Sequence, residues 1–185
     1  MSLSISSPLP LEDLMLNDIW TFYFHDPYDE DWTYPSYKKI SDISSVEEFW
    51  AVQSLIHDKI SCGMFFLMRE YVFPSWDDTN NLKGGCFSLK VLKQDIPQFW
   101  QDICIKILGE TFLKEEYNND NKKSLWNLIN GVSTSPKKHF SIISIWMKSS
   151  ELNDPNMFNF PNLYQGEIFF KSNQQKIDEN HTKLA

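Results

Sequence analysis

The 185-residue chain is short of several things, and each shortage removes a class of function. It has six glycines, none in a GxGxxG or P-loop run, so no Gly-rich cradle for phosphate is present. Neither a GxSxG elbow nor an HExxH pair occurs. The four histidines (His25, His57, His139, His181) share no metal-ligand spacing, and no metal or other cofactor is expected. Three cysteines, Cys62, Cys86 and Cys104, form neither a disulfide framework nor a CxxC pair. Core thiols in a reducing, cytoplasmic setting suit them best. No apolar run approaches the roughly 20 residues that cross a bilayer, so no membrane association is expected. The first residues lack the basic start and apolar stretch of a signal peptide. Basic charge is also scarce: 17 Lys and Arg stand against 25 Asp and Glu, a net charge of −8. That balance argues against a surface coating nucleic acid, but leaves room for a pocket holding one terminal nucleotide. With these signatures missing, binding fits better than catalysis and no enzyme activity is expected.

What the chain does have is aromatic residues, 15% of the total. Two tryptophans stand where a core residue should not. Trp32 lies in the acidic, proline-flanked stretch Asp26-Pro27-Tyr28-Asp29-Glu30-Asp31-Trp32-Thr33-Tyr34-Pro35, and Trp76 lies in Phe73-Pro74-Ser75-Trp76-Asp77-Asp78. Both stretches read as loops. A large ring on a solvated loop either folds back as a lid or offers its flat face to a ligand. An aromatic pair beside a carboxylate suits a flat, cationic, hydrogen-bond-donating ring.

Strand and helix signals alternate between two tails, residues 1–16 and 174–185, so one α+β domain is expected over 17–173. Ile19–Phe24, Met64–Val72, Cys86–Leu92, Phe140–Met147 and Glu167–Lys171 read as strands. Ser45-Val46-Glu47-Glu48 is a capping box opening a helix with apolar residues Val46, Phe49, Trp50, Leu55, Ile56 and Ile60, and Asp95 caps a second whose stripe is Phe99, Trp100, Ile103, Cys104, Ile107 and Leu108. Lys83-Gly84-Gly85 marks a turn, while Pro155 and Pro161 argue against a long helix over 150–165. A mainly antiparallel sheet covered on one face by helices follows.

Five blocks follow one another in order: Trp20 through Trp32; Ser45-Val46-Glu47-Glu48-Phe49-Trp50; Pro74-Ser75-Trp76-Asp77-Asp78 running into Lys83-Gly84-Gly85; Phe99-Trp100 with Ile107-Leu108-Gly109-Glu110-Thr111-Phe112; and Ile142-Ile143-Ser144-Ile145-Trp146. This ordered set resembles the translation initiation factor 4E family, which binds the 7-methylguanosine cap of messenger RNA. The resemblance implies a curved sheet with helices on its convex side and the cap on its concave side. Trp32 and Trp76 would sandwich the methylated base, Asp77 would stand where the family has a glutamate reading guanine, and Trp146 would lie beside the methyl group. No residue aligns cleanly with the family's phosphate-binding cations. Lys137 and Lys138, in a segment 130–139 that reads as longer than usual, are the nearest candidates.

On the helical side, the resemblance implies binding of a scaffold initiation factor, or a repressor, through a Tyr-x-x-x-x-Leu-Φ helix. Val46 and Trp50 match that patch, with Gln101, Asp102 and Ile105 on the adjacent helix; Gln101 replaces what is commonly Leu. A monomer that recruits capped messages is the expectation. The alternatives are a cap-binding repressor and an interaction protein that does not engage the scaffold.

Overall fold

Strand β1 (Met15–His25) carries the alternation that organises the domain. Trp20 and Phe22 point to one face and are buried there, while Thr21, Tyr23 and His25 point to the other. The computed structural model describes residues 13–117, 125–162, 164 and 166–184 of the chain. It contains β2 (Lys38–Ser45), α1 (Val46–Ile56), β3 (Met64–Arg69), β4 (Gly85–Leu92), α2 (Ile96–Leu108), β5 (Ile129–Pro136), β6 (Phe140–Met147), β7 (Ile168–Ser172) and α3 (Asn173–Leu184). The strands form one open, curved sheet in the order β2-β1-β3-β5-β6-β4-β7, and every pairing is antiparallel.

Helices α1 and α2 cover one face. Phe49, Val52 and Ile56 of α1 and Phe99, Trp100, Ile103, Cys104 and Ile107 of α2 join Phe22, Leu67, Phe87, Leu89, Ile143 and Ile145 in the main core. The capping box forms: the Ser45 hydroxyl accepts from the Glu48 N–H at 3.2 Å, and the Glu48 carboxylate accepts from the Ser45 N–H at 3.2 Å. Pro97 sits in the first turn of α2, and Gly109 ends it.

Five expectations change, the first being Cys62, expected as a core thiol and found exposed, whereas Cys86 and Cys104 are buried. The 174–185 tail is helix α3, which has no apolar stripe of its own; Asn173, fully buried, anchors its start. Strand β1 begins at Met15, inside the stretch expected to be a tail; residues 1–12 lie outside the described ones. Ile60 lies beyond α1, in the turn that follows it. Segment 130–139, expected to be longer than usual, is the first strand and the turn of a hairpin: β5 pairs with β6 from Ile129 to Pro136, and Lys137 N–H donates to Phe140 O at 2.8 Å. Over 150–165 the described residues hold no long helix but an isolated antiparallel bridge from Phe158 to Leu113 and the 3-10 turn Pro155–Met157. Its anchor is aromatic, with Phe158 stacked on Phe112 at 5.1 Å and edge-on to Phe87 at 5.2 Å.

Candidate binding site

The face of the sheet opposite α1 and α2 carries a second, smaller cluster: Phe66 and Met68 of β3, Val72, Cys86 of β4 and Trp146 of β6, with Tyr23, Tyr37, Met64 and Trp76 packed on it. Residues directly opposite in antiparallel strands share a face, so the pairs Cys86–Trp146 and Cys86–Lys171 lay Trp146, Cys86 and Lys171 side by side. Trp146 is buried, and its Nε1–H donates to Ser133 Oγ at 2.9 Å. That bond fixes the indole orientation from a neighbouring strand.

Both loop tryptophans reach this face. Trp32 follows β1 in a run of Asx turns: Asp26 accepts from the Tyr28 N–H, Asp29 from Asp31 and Asp31 from Thr33, at 2.8–3.0 Å. Trp32 is half exposed, and it lies flat on the buried His25 ring, with centroids 4.3 Å apart and planes 4° apart. Trp76 follows β3 on a loop held by buried asparagines. Asn81 donates to the carbonyls of Phe73 and Ser75 at 2.8 and 2.9 Å and accepts from Asn130 Nδ2 at 2.8 Å. Asn173 Nδ2 donates to Asn81 O at 2.8 Å, so β5, the start of α3 and the Trp76 loop are tied together. Gly84 permits the closing turn, because a Cβ there would stand 1.8 Å from Met147 O.

Tyr37 joins the two loops. Its ring lies 6.3 Å from Trp32 and 4.7 Å from His25, and its hydroxyl donates to Pro74 O at 3.3 Å. Burial first, and then the negative charge of Asp77, push that hydroxyl up to about 12. Tyr37 thus meets Trp32 through its ring and the Trp76 loop through its hydroxyl. Asp77 is exposed beside Trp76, its carboxylate accepting from the Ser75 hydroxyl.

The expected cations stand apart from these rings. Lys137 and Lys138 occupy the β5–β6 turn, next to Phe140, which is six residues along β6 from Trp146. At 3.4 Å per residue that is about 20 Å. A lysine that sequence reasoning missed is much nearer: Lys176 of α3 holds its ammonium 5.5 Å from the Trp76 ring centroid and 5.8 Å from that of Trp146. A cleft of about 460 Å³ is lined around Phe158–Phe160, and one of about 290 Å³, lined around Tyr23–Tyr34–Phe73, shares Tyr23 and Val72 with the open face; neither includes Trp32, Trp76 or Trp146.

On the helix-covered side, Trp50 is 40% exposed and Ile105 42%, while Phe49 beside Trp50 is buried. Val46, Gln101 and Asp102 are half-buried, and Asp102 accepts from Gln98 Nε2 at 2.7 Å. The Val46 N–H donates to Leu14 O at 2.9 Å, bringing the exposed Leu14 and Met15 to the start of α1.

The family model described as "Eukaryotic initiation factor 4E" matches residues 15–183. The chain belongs to the initiation factor 4E family. It is 28% identical over 144 residues to eukaryotic translation initiation factor 4E of Candida glabrata, covering 74% of this chain and 64% of that protein. To the Saccharomyces cerevisiae factor it is also 28% identical, over 74% of this chain and 62% of that one. It thus spans somewhat under two thirds of the length of these relatives. Among solved structures, Caenorhabditis elegans initiation factor 4E-3 with the 4E-binding protein Mextli and cap analog superposes with a TM-score of 0.70 at 19% identity, over 90% of this chain and 96% of that one. Schistosome initiation factor 4E complexed with m7GpppG and 4E-BP gives 0.71 at 18% identity, over 89% and 91%. These likenesses share the fold.

Against this 4E frame, sequence reasoning missed His25, Tyr37, the three buried asparagines and Lys176. His25 and Tyr37 carried a signal, since each falls on the Trp32, or open, side of its segment, but only the sheet register exposes it. Lys176 carried none, because α3 lacks the periodicity that marks a helix.

Proposed function

We propose that this chain binds the 7-methylguanosine 5′ cap of messenger RNA and delivers capped messages to translation initiation in the cytoplasm. The single observation that carries the reading is the convergence of two loop tryptophans with Trp146 on one open face, with Asp77 next to Trp76. The base enters between Trp32 and Trp76 and stacks on their free faces. N7 methylation leaves the guanine positively charged, so each good stack gains a cation–π contribution of about 0.5–2 kcal/mol. Asp77 accepts from the guanine N1–H and 2-amino group, a charge-assisted pair. Trp146 lies beside the methyl group. Lys137 and Lys138, far along the sheet, meet a phosphate chain only at its distal end. No bond is made or broken, so the protein is a binder and not an enzyme.

The exposed faces of Val46, Trp50 and Ile105 support a partner helix of the Tyr-x-x-x-x-Leu-Φ kind on α1 and α2, with Gln101 and Asp102 at its border. That favours a role in recruitment. Retention on immobilised 7-methyl-GTP tests the cap site. The parent should be held and released by free 7-methyl-GTP, while Trp32→Ala, Trp76→Ala and Asp77→Asn should pass through. Retention of all three variants at the parental level would overturn the assignment.

A further inference from the structure

Helix α3 lies against the open face, and everything that holds it there bears on the tryptophan site. Its first residue, Asn173, is buried and donates to Asn81 O in the Trp76 loop; Asn173 N–H donates to Gly84 O at 2.9 Å, and Cys86 Sγ lies 3.5 Å from Asn173 Oδ1. One turn on, Lys176 is half-buried with its ammonium over both Trp76 and Trp146. Burial pushes the neighbouring Cys86 thiol up, and the positive charge of Lys176 pulls it the other way, which places the ammonium against Cys86 as well. Farther along, Glu179 pairs with Lys171, the β7 residue in register with Cys86. The ammonium is therefore held by the two aromatic faces and by a hydrogen bond with the Cys86 thiol, and has no carboxylate of its own in hydrogen-bond range among the described residues.

We propose that Lys176 is an exchange cation that makes the site selective for a nucleotide over a nucleoside. This rests on the cap-binding reading above. A resident positive charge over Trp76 and Trp146 stands where a cationic base gains its stacking, so the base enters only as Lys176 leaves. Lysine suits the task, because its ammonium sits on a flexible four-carbon stem and can swing without moving the helix. A departing ammonium loses its cation–π contacts. A ligand with a phosphate chain replaces them with an anion, whereas a bare nucleoside offers nothing in return. The cost of expelling Lys176 falls on both ligands equally, but only the nucleotide offsets it. Selectivity for the phosphorylated ligand thus comes from the lysine nearest the rings, and the distant Lys137–Lys138 turn is not required for it.

Tryptophan fluorescence titration with 7-methylguanosine and with 7-methyl-GTP tests this on the parent, Lys176→Met and Lys176→Arg. The Met variant should bind the nucleoside about three- to tenfold more tightly, the size of one cation–π contact. It should bind the triphosphate more weakly, so the ratio between the two ligands narrows. Lys176→Arg should keep the parental ratio. Nucleoside affinity that is unchanged or lower in Lys176→Met overturns the proposal. So does an equal gain for both ligands, which describes a plug without a phosphate role, and so does an Arg variant behaving like Met. Absence of any response in the parent would sink the cap-binding reading itself, whereas parental binding with an unmoved ratio removes only the exchange.

Discussion

The Trp32 indole lies flat on the His25 imidazole, with centroids 4.3 Å apart and planes within 4° of parallel. One face of the indole is therefore already covered by a buried strand residue, and the opposite face remains for a ligand. His25 Nε2 also lies 2.8 Å from Asp31 O, so the same side chain holds the loop backbone and its ring. His25→Ala leaves Trp32 without a backing and makes the loop pay its ordering entropy on binding. The expected result is a two- to tenfold weaker titration with 7-methyl-GTP, roughly one aromatic pair. An unchanged affinity would mean that Trp32 needs no backing.

The Trp76 loop depends on amide groups as well as on the packing of Trp76 and Val72. Asn81→Ala removes two donated bonds, leaving the Phe73 and Ser75 carbonyls without them, and one accepted from Asn130 Nδ2, which keeps its bond to Asn80 O. A loss of about 2–4 kcal/mol in stability is expected, because unsatisfied buried polar groups cost more than a bond contributes. Urea unfolding reads it as a lower midpoint with an unchanged slope. A midpoint near the parental one would show that water takes over these bonds.

Tyr37 gives a pH signature. Its folded hydroxyl titrates at about 12, against about 10 for an unfolded tyrosine, so between those values the unfolded chain has lost a proton that the folded chain keeps. Its contribution to stability is complete below about pH 10 and is lost as pH rises towards 12. Tyr23, Tyr164 and Cys104 are also shifted up, mainly by burial, but they are common to parent and variant and cancel. The stability difference between parent and Tyr37→Phe should be flat below pH 10 and shrink above it. A difference that grows with pH would contradict the burial of that hydroxyl.

Trp50 and Phe49 are neighbours with opposite duties. Phe49 is buried under the sheet, so Phe49→Ala should cost about 3–5 kcal/mol in unfolding free energy. Trp50 touches Phe49 edge-on at 5.3 Å but is 40% exposed, so Trp50→Ala should cost no more than about 1.5 kcal/mol. It should nevertheless abolish binding of a Tyr-x-x-x-x-Leu-Φ peptide, measured by calorimetry. Full peptide binding by Trp50→Ala would remove this face from the partner site.

Most of the strands and both core helices were legible, because Phe22, Leu67, Phe87 and Ile145 alternate with the pleat and Phe99, Ile103 and Ile107 keep helical spacing. Strand β2 was not. It is an edge strand whose hydrophobic burial is confined to Ile43, so Lys38-Lys39 and its serines read as loop. Strand β5 was hidden for the opposite reason. It is central and buried, yet Asn130, Gly131, Ser133 and Thr134 fill it, because its open face must approach the Met68 backbone at Gly131 and bond Trp146 at Ser133. Helix α3 is polar all round and is held by its buried first residue, by Lys171–Glu179 and by Gln174 donating to Asp178 at 2.9 Å. Trp32, Trp76 and Asp77 stood out in the sequence as misplaced aromatics beside a carboxylate. The residues that position them did not, since His25, Tyr37 and Asn81 act through contacts that only the folded sheet creates.

The most direct measurement is intrinsic tryptophan fluorescence during titration with 7-methyl-GTP, with unmethylated GTP as the control. Stacking of a charged base on Trp32 and Trp76 predicts saturable quenching by the methylated nucleotide and little or none by GTP at the same concentrations. Equal quenching by both would mean that the site does not sense the methyl group's positive charge, and it would contradict the account.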